Sequence, residues 1–402
     1  MHFHQLLSAT RLAALGILLS ATLAGSLSAA VTVGSDVQLG GFFSQGYIQG
    51  SGNNYPFDDK DGTFDFREMG VNASTTYGAH LRVGAQLFAQ RLGAYGDDKV
   101  KLDWAVADYN VRQEFGIRLG RIKYPKGLYG EALDLDVVRP FVFLPMSIYN
   151  PILRDFNSSF NGAMVYGSIA AGKAGSFDYK GFYGKMPLNP QQGVADFFNT
   201  TSLYTSAGVK DISVDHVTGG QLVWNTPVNG LKFAFSFSAL TDLDATGKFL
   251  YVPTANVSLH SNRYSYTTYS VEYLLNKWTF AGEFQRNAGV FKVITPFSTS
   301  GTPGHVNNWY VSVARRLNDK FEVGTYYDVQ ENGTPAATSL PANNHNRDLA
   351  LSFKYDVSEH VTVKLEGHTI DGHYNMFNTV KTPNPAIKDS SSYFVVKTTF
   401  SF

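Results

Sequence analysis

No residue set in this sequence of 402 residues has the spacing of a catalytic or metal centre. Hydrolytic chemistry needs a nucleophile and a histidine with an orienting partner, and here the serines and histidines are scattered with no motif joining them. His368 and His373 flank Asp371, but they fall where an alternating segment gives way to a polar loop, so a solvated pair is expected rather than metal ligands. Phosphate-loop, dinucleotide and EF-hand patterns are missing, and nothing calls for a cofactor. What remains is charge. Arg82, Lys101 and Arg118 occupy the polar phase of three successive alternating segments, while Glu131, Asp134 and Asp136 crowd into one long non-periodic stretch. Such groups break no bonds. Opposed across a narrow passage, they set up a transverse field that acts on ions and dipoles.

The elements that would position these charges are strands. The last stretch is the clearest: Phe394, Val396, Thr398, Phe400 and Phe402 share one phase, and Tyr393, Val395, Lys397, Thr399 and Ser401 the other. This is the period of a strand with one apolar and one wet face. Fifteen further segments alternate in the same way. The early ones lie near 36–48, 63–76, 81–90, 100–107 and 115–120, and in the fourth Leu102, Trp104 and Val106 take the apolar phase. Weaker ones follow at 162–171, 176–185 and 217–225. The rest lie near 231–239, 263–275, 278–287, 309–317, 321–330, 348–356 and 361–370. About ten alternating residues is what a tilted strand needs to cross a bilayer.

Link lengths carry a second regularity. After even segments the links are tight, as at Tyr77-Gly78 and Asn276-Lys277. After odd segments they are longer: 49–62, 92–99, 125–160, 186–214, 242–261, 288–306, 331–346 and 371–389. Short turns at one end and long loops at the other define an all-β, antiparallel transmembrane barrel of sixteen strands, with both termini at the short-turn, periplasmic end. Phe402 is then the barrel-closing terminal residue, set in an aromatic girdle, and Trp278, Tyr327 and Tyr355 read as interface belts against outer-membrane lipid.

The leader and composition agree. Arg11, the run Leu12–Leu19 and the small residues up to Ala30 read as a signal peptide over residues 1–30, leaving 31–402 as the barrel. Arg11 is the only charged residue in the leader, so 33 basic and 33 acidic residues become 32 and 33. That balance argues against a nucleic-acid partner. With no cysteine, an exported chain of this size is held by sheet closure rather than by disulfides.

The fifth segment leads into Gly120-Arg121, then Pro125 through Arg139-Pro140, and on to Asp155. A long loop this rich in Leu, Val, Phe and Ile is costly to leave in water, and the barrel lumen is its nearest shelter. With the terminal Phe402, these residues resemble those of the Gram-negative outer-membrane porin superfamily, in a poorly characterised branch. The resemblance implies a third loop folded into the lumen, with acids facing bases on the wall. Glu131, Asp134 and Asp136 would be the acids of that constriction loop (125–160), and Arg82, Lys101 and Arg118 the pore-lining bases. Alternatively these charges keep a wide lumen wet, or pair locally. Arg139, Arg154 and Asp155 are candidates for anchoring the loop to the wall. The resemblance further implies a homotrimer that passes small hydrophilic solutes and ions through the outer membrane of a Gram-negative bacterium, and no enzyme. A substrate-selective channel for anions, sugars or peptides, and a surface adhesin or receptor, are the rival readings.

Overall fold

Alternation becomes a hydrogen-bonded ladder along most of the chain. The computed structural model describes residues 31–402 apart from 34, 35, 58, 202, 377 and 380, so the leader expected at 1–30 lies outside the described residues. Sixteen long strands follow one another in order. They are β1 (Val37–Ser51), β2 (Thr63–Tyr77), β3 (Leu81–Leu92), β4 (Lys101–Arg112), β5 (Phe115–Lys123), β6 (Ser159–Ala170), β7 (Ser176–Lys185) and β8 (Tyr204–Asn225). Then come β9 (Leu231–Phe249), β10 (Val252–Leu275), β11 (Trp278–Ile294), β12 (Thr299–Arg316), β13 (Phe321–Asn332), β14 (His345–Asp356), β15 (Val361–Gly372) and β16 (Ser390–Ser401). Val31–Val33 adds a short antiparallel pairing to β1, and Tyr95–Gly96 folds back on β3. β16 closes on β1, from Ser401 opposite Phe42 to Ser392 opposite Ser51. The closed sheet has no free edge to template aggregation.

The two phases of each strand separate as a membrane barrel requires. Leu87, Leu119, Leu351 and Leu365 stand about half exposed on the outside, whereas Gln86, Asp108, Glu283, Asp328, Glu366 and Lys397 are buried inside. An apolar outer belt around a charged interior is the reverse of a water-soluble barrel and fits hydrocarbon outside with solvent or loops inside. Trp278 stacks on Phe280 and Tyr355 on Phe321 near the short turns, and Tyr327 packs edge-on against Trp309 nearer the long loops. Among the described residues no helix is long and apolar enough to span a bilayer.

Two expectations need correction. The long links expected at 242–261 and 288–306 are mostly strand: β9 and β10 are 19 and 24 residues long and run up to a link at Leu250-Tyr251, and β11 reaches β12 through 295–298. The reason is that alternation persists past the bilayer. Leu243 and Ala245 face inward and pack with Val257 and Leu259, while Asp244 pairs with His260 at 2.9 Å and Thr246 with Ser258 at 2.6 Å on the outer side. The second correction concerns β4. Gln86 lies opposite Trp104 but Leu87 lies opposite Leu102, so one extra residue, Asp103, bulges into the lumen. Leu102 therefore faces lipid, whereas Trp104 and Val106, expected on the apolar outer phase, turn inward and join the buried cluster. The bulge lets Asp103 meet Lys123 and Arg154, each at 2.6 Å.

Candidate functional site: the loop inside the barrel

The stretch between β5 and β6 turns inward at once. Gly127 sits at φ 55°, and a side chain there would collide with the Tyr149 hydroxyl and the Glu283 carboxylate, so only glycine lets the backbone pass this close to the wall. The neck is tied to the wall by Tyr124 Oη donating to Ser238 Oγ (2.5 Å), Gly127 N to Ser236 Oγ (3.1 Å) and Leu128 N to Glu283 Oε1 (2.8 Å). From there the loop crosses to β13–β16. Lys354 Nζ donates to Val137 O at 2.5 Å, Ser352 Oγ to Pro140 O at 2.8 Å, and the amides of Val142 and Phe143 both donate to Glu366, at 2.8 and 3.1 Å. Two short helices, α1 (Met146–Tyr149) and α2 (Arg154–Asn157), lead back to β6, and Ser147 N donates to Asp328 at 2.9 Å on the way.

Apolar packing explains why the loop stays inside. Phe143 lies against Phe57 and Phe66, Phe141 meets Tyr326 edge-on, and Val142, Ile148 and Ile152 are almost wholly buried. Burying each such side chain contributes about 1.5–3 kcal/mol, offsetting the ordering of a long irregular segment.

The loop acids all reach wall bases. Glu131 pairs with Arg118 at 3.4 Å and with Lys180. Asp134 pairs with Arg154 at 2.7 Å and with Lys123. Asp136 meets Lys364 at 3.0 Å and Lys397 at 3.3 Å and accepts from Thr399 at 2.6 Å. Burial alone would raise the Asp136 carboxyl; Lys364, Lys397 and Arg139 outweigh it and hold the group far below the usual carboxylate range. Arg118 is also held by Asp108 at 2.9 Å. Arg82 faces the lumen and donates to Ser74 Oγ at 3.3 Å, and Lys101, at the start of β4, is more exposed and lies beside Asp155. With the Gln192 amide oriented to satisfy its neighbours, its nitrogen donates to Asp155 Oδ2 at 2.6 Å and its carbonyl accepts from Lys101. Arg154 spans loop and wall through Asp134 and Asp103, whereas Arg139 bonds within the loop, to Leu133 O at 3.1 Å and Val142 O at 3.2 Å.

Several partners were not anticipated. Asp103, Lys364, Lys397 and Glu366 lie on inward phases and could have been found by parity, whereas Lys123 shares the phase of the exposed Leu119 on β5 and could not. His368 is not solvated, as expected from its place near a loop: its side chain is fully buried between Asp348 (2.9 Å) and Glu366 (3.0 Å), stacked on Tyr393. His373 lies outside that cluster, 3.8 Å from Asp389. Among the described residues no three His, Cys, Asp or Glu side chains come together as metal ligands.

No protein-family model and no curated protein matches the sequence. Solved structures do match, over nearly the whole chain. OmpT, an outer-membrane protein of Vibrio cholerae, is similar with a TM-score of 0.55 at 12% identity, covering 92% of this chain and 100% of that one. An anion-selective porin from Comamonas acidovorans has a TM-score of 0.55 at 13% identity, covering 91% and 99%. The outer-membrane channel DcaP of Acinetobacter baumannii has a TM-score of 0.53 at 13% identity, covering 93% and 99%. These likenesses establish that the chain has the fold of outer-membrane porins and channels.

Proposed function

We propose that the chain is a passive diffusion channel for small hydrophilic solutes in the outer membrane of a Gram-negative bacterium, exported with residues 1–30 as a cleaved leader. One observation carries this reading: a closed barrel with an apolar outside and a charged inside holds its own loop, residues 125–160, in its lumen. A receptor needs display at the surface, not a charged lumen narrowed from within. In the channel, loop and wall together define the constriction. Arg82, Lys101 and Arg118 line the wall, Glu131, Asp134 and Asp136 supply the loop charges, Arg154 and Asp155 anchor the loop to the wall, and Arg139 braces it from within. Solute selection is then physical, by radius and by field, with no cofactor and no bond made or broken. A homotrimer is the assembly we favour; one solved form of Vibrio cholerae OmpT is described as a trimer.

Single-channel recording in a planar bilayer tests this. Purified protein is expected to give discrete conductance steps that grow with salt concentration. A folded barrel that inserts and passes no current would overturn the channel reading.

A further inference from the structure

The ion pairs around Asp136 do not balance. Two carboxylates, Asp136 and Glu68, face three cations: Lys364 (3.0 Å from Asp136), Lys397 (3.3 Å from Asp136, 2.6 Å from Glu68) and Arg139 (3.5 Å from Asp136). Lys364 and Lys397 are almost wholly buried by their partners, whereas the Arg139 side chain is 15% exposed. Arg139 also has donors to spare. A guanidinium carries five N–H groups; two of its nitrogens donate to the Leu133 and Val142 carbonyls, and its Nε, though buried, has no hydrogen-bond partner among the described residues. A buried donor left unmade costs about 1–3 kcal/mol unless something fills the place.

Arg139 lines a cavity of about 40 Å³ between the loop and β2, together with Glu68, Leu133, Leu144, Tyr149 and Arg154. Arg154 brings no surplus charge, being held by Asp103 and Asp134. The cavity has room for roughly three water-sized groups at ~10–15 Å³ each. An excess of cations over carboxylates, a donor left unmade and a small, partly apolar space together describe a site for a small anion.

We infer that Arg139 and this cavity form a binding site for a small carboxylate of about the size of formate. The anion would neutralise the excess positive charge, accept the open Arg139 donor, and set its carbon against Leu133 and Leu144. The site deepens the channel reading and rests on it for its purpose: a weak anion site on the loop would favour small organic acids over cations of equal size. Its existence does not require current to flow.

The test uses detergent-solubilised, folded full-length barrel and follows its unfolding temperature by heat-modifiable gel mobility. Sodium formate is compared with sodium gluconate, a carboxylate too large for the cavity, at equal ionic strength. Formate should raise the unfolding temperature of the wild type in a saturable way and gluconate should not, because a ligand that binds only the folded state stabilises it by mass action. Arg139→Gln should lose the formate-specific response, Arg139→Lys should keep a weaker one, and Leu133→Phe, which keeps the charge and narrows the space, should lose it. Equal responses to both salts in the wild type, or a formate response that survives in Arg139→Gln or in Leu133→Phe, would overturn the site. If Arg139→Gln does not fold, Leu133→Phe decides. Conductance is read separately, so a non-conducting barrel that still responds to formate would overturn the channel and keep the site.

Discussion

Gly41 and Phe402 exchange both of their backbone hydrogen bonds across the seam of the barrel, each at 3.0 Å, and the Phe402 ring occupies the space where a Gly41 side chain would begin, 2.7 Å from its Cβ position. Phe400 lies next along the same outer face, its ring 6.1 Å from that of Phe402. The seam is thus clamped at its short-turn end by one ring and one missing side chain.

The first prediction follows from that clamp. Phe402→Ser and Gly41→Val should each lower the yield of folded barrel, Gly41→Val by displacing the ring and Phe402→Ser by removing it. The loss from Phe402→Ser is about 1–2 kcal/mol, since the ring is only partly buried. Heat-modifiable mobility of membrane extracts measures it. Wild-type yield for both variants would mean that the ring is ordinary interface packing.

Deleting Asp134–Ser147 should raise single-channel conductance by opening the lumen. It should also destabilise the barrel, because Lys354, Lys364, Lys397 and Glu366 would lose loop partners inside the wall. Breaking one side of a buried pair costs about 3–5 kcal/mol where water does not replace the partner. Unchanged conductance in a folded deletion variant would show that the loop does not narrow the path.

Charge selection should respond to the loop–wall pairs. Replacing Asp134 and Asp136 together by Asn releases Lys123, Arg154, Lys364 and Lys397 from their loop carboxylates and should shift the reversal potential in a salt gradient toward anions. Replacing Arg82 and Arg118 by Ser should shift it toward cations, more at low salt than at high salt, because charges are screened less as salt falls. If neither pair moves the potential, these residues do not line the constriction.

A pH effect is expected from Lys126 in the loop. Its Nζ donates to Ile148 O (2.7 Å) and Asn157 Oδ1 (2.8 Å). Burial pushes the amine down to about 7, against a smaller opposing pull from Glu283. The folded state then binds fewer protons than the unfolded state between about pH 7 and the ordinary lysine value, so stability rises with pH across that window. The full span is on the order of 5 kcal/mol. Lys126→Met should flatten this slope in unfolding measured from pH 7 to 10. A slope unchanged in Lys126→Met would assign it to other groups.

How much of this was legible depended on the range of the interaction. Strand number and closure followed from period-two patterning, because each strand needs only its own phases and its neighbour. The clean alternation from Tyr393 to Phe402 therefore translated directly into an outer and an inner face. Register was not legible at β4: one bulged residue, Asp103, turned Trp104 and Val106 to the other face. Nor were the loop partners. Asp136 finds Lys397 261 positions along the chain, and His368 finds Asp348 through its place in a ladder rather than through a motif. The tall β9–β10 wall was legible and missed, since alternation at Leu243, Ala245, Val257 and Leu259 continues past the length a bilayer requires.

The reach of the inner loop to the last strand bears on the order of assembly. Fifteen of the sixteen strand pairings join sequence neighbours and can form hairpin by hairpin, with little loop-closure entropy lost at each step. Only β16 with β1 joins the far ends of the chain. Asp136 is bonded to Lys397 and Thr399 on β16 itself. A loop left outside would leave those two side chains facing an empty lumen, and once the wall had closed it could enter only through the mouth. The carboxylate at position 136 thus ties the place of the loop to the strand that closes the wall, so that each holds the other.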